Sequence, residues 1–84
     1  MAQNYPNPFN AQTIIAFTIP AASNIDLAVY DLMGRRVEIL YSGPITSGEH
    51  RISWDASQYS SGVYLYRLIL GNGETSIGRM LLLK

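Results

Sequence analysis

Nucleophilic or acid–base chemistry in this chain has few residues to draw on. There is no cysteine and a single histidine, His50. It shares a strand face with Ile52 and Trp54, where a lone histidine reads as packing or surface rather than as a general base. Six carboxylates are scattered along the chain as Asp26, Asp31, Glu38, Glu49, Asp55 and Glu74. Glycoside hydrolysis requires two of them facing each other across a cleft, and a domain this small offers little room for one. Asp55 follows a strand and reads more simply as a turn residue whose side chain accepts from nearby backbone amides. Calcium needs several oxygen ligands from one loop, and no Asp/Asn-rich loop supplies them. The glycines open no helix and so form no phosphate cradle. No cofactor and no metal is implied, and the chain does not read as an enzyme. The aromatic residues Tyr30, Tyr41, Trp54, Tyr59, Tyr64 and Tyr66 allow one binding reading, a flat platform for sugar rings as in a carbohydrate-binding module. Their alternative role is to fill a small core.

The elements that hold these residues are organised around Gly62 to Leu70. This apolar, β-branched and aromatic run is bounded by Ser60-Ser61-Gly62 and Gly71-Asn72-Gly73, and it suits a strand. Read with period two, Val63, Leu65, Arg67 and Ile69 share one face, and Tyr64, Tyr66, Leu68 and Leu70 the other. Both faces are mostly apolar, which predicts a central strand with something packed on each side.

In chain order, residues 1–13 read as an extended lead-in. Within it Asn4 to Asn10 is irregular and stiffened by Pro6 and Pro8, with its aromatic side chains laid against the domain. Strands follow at Ile14 to Ile19, Ile25 to Leu32, Arg36 to Tyr41, Glu49 to Trp54, Gly62 to Leu70 and Thr75 to Leu83. Ile15, Phe17 and Ile19 should face the core, as should Ile25, Leu27 and Val29. Asp31 to Arg35 reads as a hairpin turn with Gly34 at positive φ. In the third strand Val37 and Ile39 alternate with Glu38 and Leu40, and Ser42-Gly43-Pro44 breaks it. No segment has a sustained helical period. The close spacing of six or seven short strands predicts an all-β antiparallel β-sandwich of two sheets.

Eighty-four residues, 48% apolar and 14% charged, make one small folded domain, which buries only about 60–65% of its unfolded surface. With six basic and six acidic side chains the formal charge is zero. There is no basic stripe for nucleic acid and no polybasic cluster for anionic lipid. No apolar run approaches the roughly 20 residues of a membrane span, and no signal peptide is recognisable. Met1-Ala2-Gln3 looks like an expression start, which reads the chain as a piece of a longer protein. The run Met80-Leu81-Leu82-Leu83-Lys84 puts consecutive apolar residues at a strand end that is ordinarily solvated. Such an end is tucked between sheets or held for a partner.

Six motifs occur in order: Tyr5-Pro6-Asn7-Pro8-Phe9-Asn10, Tyr30-Asp31-Leu32-Met33-Gly34-Arg35-Arg36-Val37, Gly48-Glu49-His50, Trp54-Asp55, Ser61-Gly62-Val63-Tyr64-Leu65-Tyr66, and Arg79-Met80-Leu81-Leu82-Leu83-Lys84. Together they resemble the type A C-terminal sorting domain of the bacterial type IX secretion system. The middle motifs, from Tyr30 to Tyr64, are also similar to the immunoglobulin-like domain of the flagellar hook-capping protein.

The sorting-domain resemblance implies an immunoglobulin-like β-sandwich that serves as a non-catalytic secretion signal, attached to a parent cargo protein on its N-terminal side. The cargo would be exported through the periplasm to the cell surface or medium. The implied partners are an outer-membrane translocon and a sortase-like peptidase. The implied recognition residues are Gly62, Val63 and Tyr64 with Arg79, Met80, Leu81, Leu82, Leu83 and Lys84. Where the family most often has Lys before the closing apolar run, this chain has Arg79, a different hydrogen-bond donor. An apolar terminal strand also allows self-association through an edge. The competing reading is a carbohydrate-binding or structural immunoglobulin-like module of a surface enzyme.

Overall fold

Alternating apolar residues and short turns give seven strands in the computed structural model, which describes residues 2–6, 8 and 10–83. They are β1 (Ala2–Tyr5), β2 (Gln12–Ile19), β3 (Ser23–Asp31), β4 (Arg36–Ile45), β5 (Gly48–Asp55), β6 (Gly62–Leu70) and β7 (Thr75–Leu82). All pairings are antiparallel. One sheet has the order β1-β2-β5 and the other β4-β3-β6-β7. The two inner faces meet over Ile15, Phe17, Ile19, Ile25, Leu27, Val29, Trp54, Tyr64, Tyr66, Leu68, Met80 and Leu82. This is the predicted antiparallel sandwich, and the inward sets of β2 and β3 are those that the alternation predicts.

Several local expectations are corrected. The lead-in is not irregular throughout, because Ala2 to Tyr5 pairs with Ile14 to Phe17 of β2. Tyr5 is 40% exposed, and its hydroxyl accepts from Arg51 Nε at 3.0 Å. Asn7 and Phe9 lie outside the described residues. Leu32 belongs to the hairpin turn and not to β3, and it is 68% exposed. The strand after the hairpin does not break at Ser42-Gly43-Pro44 but runs on to Ile45. β4 is the edge of its sheet, where a proline is tolerated.

β4 also changes face. Its pairing with β3 skips Val37 and Leu40, so Ile39 stands opposite Ala28 on the outer face and is 50% exposed. Leu40 packs against the core instead. Each extra residue of a bulge reverses the alternation that simple period-two reading assumes. Finally, β6 is central in its sheet but covered on one face only. Tyr64, Tyr66 and Leu68 are buried, while Val63, Leu65, Arg67 and Ile69 are half-buried on the face away from the second sheet.

Candidate functional site

The two recognition segments inferred from resemblance are distant in sequence and adjacent in space. The turn at Gly71 to Glu74 folds β7 back on β6, with Gly73 N–H donating to Leu70 O at 2.9 Å and Leu70 N–H to Glu74 O at 2.8 Å. The register that follows sets Gly62 opposite Leu82, Val63 opposite Leu81, Tyr64 opposite Met80 and Leu65 opposite Arg79. β7 is the edge strand, with β1 of the other sheet packed beside it.

Strand alternation divides this patch into two sets. Tyr64, Met80 and Leu82 point inward; Met80 and Leu82 are fully buried and Tyr64 is 9% exposed. Val63 and Leu81 are half-buried on the outer face, where Arg79 is exposed. Leu83 is 52% exposed. Lys84 lies outside the described residues. The terminal apolar run is therefore both tucked in and presented, residue by residue. Gly62 has φ +151°, which side chains rarely adopt. It lets the chain turn from the preceding loop into β6.

A hydrogen-bonded aromatic cluster holds that loop. Trp54 is fully buried, and its ring lies 5.6 Å from Tyr59 and 5.4 Å from Tyr64. Trp54 Nε1 and the Tyr59 hydroxyl each donate to Glu38 Oε1 at 3.1 Å. The Tyr64 hydroxyl donates to Ser60 O at 2.7 Å. Burial, reinforced by the Glu38 carboxylate, pushes the Tyr59 phenol above its ordinary pKa. Asp55 Oδ1 accepts from Ser57 N–H at 3.0 Å, the turn role expected of it, and this bond holds its carboxyl below the ordinary value.

Sequence reasoning missed Glu38, which the β4 bulges bring to the cluster, and Gly78, whose missing side chain makes room for the Tyr66 ring. Glycine in a strand interior is the available signal for such close approach. Ile77, 63% exposed on β7, was placed in its strand but given no role.

His50 Nε2 lies 2.7 Å from Thr46 O, and its ring stacks on Phe17 with centroids 5.6 Å apart. Among the described residues no group of three or more His, Asp or Glu side chains could hold a metal ion, and no helix is long and apolar enough to cross a membrane. The rings proposed for a sugar platform do not form one. Trp54, Tyr64 and Tyr66 are buried, and Tyr30, Tyr41 and Tyr59 are half-buried with their hydroxyls engaged by Arg67, Pro44 O and Glu38.

No curated protein and no solved structure matches the chain. The profile of the secretion system C-terminal sorting domain matches residues 3–82. That span takes in β2 to β7 entire, and with them both sides of the β6–β7 patch. On that match the chain belongs to the type IX secretion C-terminal sorting domains, non-catalytic signals that route an attached cargo protein to the cell surface or the medium.

Proposed function

We propose that the outer-membrane translocon recognises the paired ends of β6 and β7. The observation that carries this reading is the register, which places Val63 beside Leu81 and Leu65 beside Arg79 on an edge of the sandwich. Tyr64, Met80 and Leu82 then serve the fold, and the outward set of Val63, Arg79 and Leu81, with Leu83 and Lys84, serves recognition. An edge strand can be read by adding a partner strand through main-chain hydrogen bonding, with alternate side chains giving specificity. The same edge allows a second copy to pair. The domain acts in the periplasm after the parent chain has crossed the inner membrane, and a sortase-like peptidase separates it from its cargo after export.

The test is export of a fluorescent reporter carrying a signal peptide and this domain, in a cell with a working type IX system. The unaltered fusion reaches the surface or medium, while Val63→Asp and Leu81→Asp fusions remain periplasmic with native Trp54 emission. A folded but periplasmic unaltered fusion, or normal export of both variants, overturns the proposal.

A further inference from the structure

The outer faces of the two sheets are unlike each other. On β2 and β5 the outward residues are mostly polar and exposed, namely Gln12, Thr18, Glu49, Arg51, Ser53 and Asp55, with Ile14 and Ala16 half-buried among them. This is the alternation a two-layer sandwich needs. The other sheet departs from it. Its register makes a row of Arg36, Tyr30, Leu65 and Arg79 across all four strands, and a second row of Ile39, Ala28, Arg67 and Ile77. Val63 and Leu81 extend this face at one end and Ile69 at the other. Folding does not require apolar residues there. Ile39 and Ile77 are 50% and 63% exposed on this face, and exposed apolar side chains gathered on one sheet face mark an interaction site.

Charge is segregated on the same face. Arg36, Arg67 and Arg79 stand there against Asp26, although acids and bases balance over the chain. Arg67 is engaged within the face: its Nη2 donates to the Tyr30 hydroxyl at 2.6 Å, and its guanidinium lies 4.7 Å from the Tyr30 ring centroid. Arg36 and Arg79 are exposed at the two ends of one row. Three interstrand steps separate them, roughly 14 Å at the usual sheet spacing. Cations on edge strands commonly guard against edge pairing, but that role does not account for the apolar rows between them.

We infer that the whole outer face of the β4-β3-β6-β7 sheet is a docking surface for a folded protein. The partner's surface has an apolar centre and carboxylates set to meet Arg36 and Arg79. An anionic glycolipid would satisfy the arginines but not the flat apolar rows between them. The inference rests on the sorting reading and extends its surface from β6 and β7 to β4.

The experiment uses the reporter fusion with changes on β4, away from the β6–β7 patch. Arg36→Glu lowers the exported fraction by about tenfold or more, whereas Arg36→Lys preserves most of it. Ile39→Asp also blocks export, and Arg51→Glu on the opposite sheet leaves it unchanged. Trp54 emission verifies the fold of each variant. In a second arm, the purified domain binds outer-membrane vesicles from type IX-competent cells, and binding weakens as salt is added.

If the unaltered fusion is not exported, the sorting reading fails and the inference fails with it. If Val63→Asp blocks export but Arg36→Glu and Ile39→Asp do not, recognition is confined to β6 and β7 and the inference alone is overturned. Equal binding to protein-free liposomes of the same lipids overturns it in favour of a glycolipid.

Discussion

The ring of Tyr66 fills the space above Gly78, its partner across the β6–β7 ladder, so that a Cβ built at position 78 collides with the ring's Cε2, Cζ and Oη. The ring is 2% exposed, and burial pushes its phenol above the ordinary pKa. Gly78→Ala should therefore cost about 1–3 kcal/mol, the usual range for overpacking. Urea denaturation followed by emission of the single tryptophan measures it. In a Tyr66→Leu background the cost of the same substitution shrinks, because the colliding atoms are gone; an unchanged cost in both backgrounds would show that the contact is not its source.

β6 was legible in the sequence to its last residue, because turn residues bound it on both sides and its composition suits a strand. β4 was not. Pro44 and Gly43 have the chemistry of a break, yet at a sheet edge they are tolerated, and the bulges at Val37 and Leu40 reverse which residues face the core. The candidate site was legible as two motifs but not as one patch. Sequence does not state that Val63 meets Leu81; the register imposed by the Gly71 to Glu74 turn does. The apolar outer face of β6 was visible as a pattern and misread as a second buried side, since period two reports polarity and not coverage.

Glu38 is the acceptor shared by Trp54 and Tyr59, and it ties β4 to the loop that leads into Gly62. Removing a part-buried acceptor and leaving its donors unsatisfied costs about 1–3 kcal/mol, which is the destabilisation expected for Glu38→Ala in a denaturant titration. Glu38→Gln keeps an acceptor oxygen and should lose less. The Trp54 near-ultraviolet circular dichroism should change with Glu38→Ala at temperatures where the domain remains folded. Equal stability of the Ala and Gln variants would show that the shared hydrogen bonds contribute nothing.

Leu81 and Leu82 are adjacent in sequence and opposite in role. Leu82 is fully buried and Leu81 half-buried on the outer face. Leu82→Ala should cost about 2–5 kcal/mol, as for other buried leucines, whereas Leu81→Ala should stay within about 1 kcal/mol. Export should invert the order once folding is controlled. Leu82→Val, which keeps an apolar core, is exported near normally, while Leu81→Asp folds and is retained. Retention of both variants, or of neither, would show that the inward and outward sets are not functionally distinct.

Asp31 organises the β3–β4 hairpin through a single carboxylate. Its Oδ1 accepts from Met33 N–H at 2.9 Å and Arg35 N–H at 3.0 Å, and Oδ2 pairs with Arg35 Nε at 3.0 Å. Desolvation raises the Asp31 pKa, but the Arg35 N–H and guanidinium together with the Met33 N–H outweigh it and hold the value below the ordinary 3.8. A carboxyl whose folded pKa is depressed stabilises the fold fully above its unfolded pKa. That contribution disappears as pH falls through the folded value. Unfolding measured from neutral pH downward should show wild type more stable than Asp31→Asn at pH well above 3.8. The two should converge below it. Asn retains a side-chain oxygen for the Met33 and Arg35 amides but not the charge facing Arg35, so the difference isolates the ionised form. A gap between the two proteins that stays constant through the acid range would mean that the hairpin depends on the shape of the side chain and not on its charge.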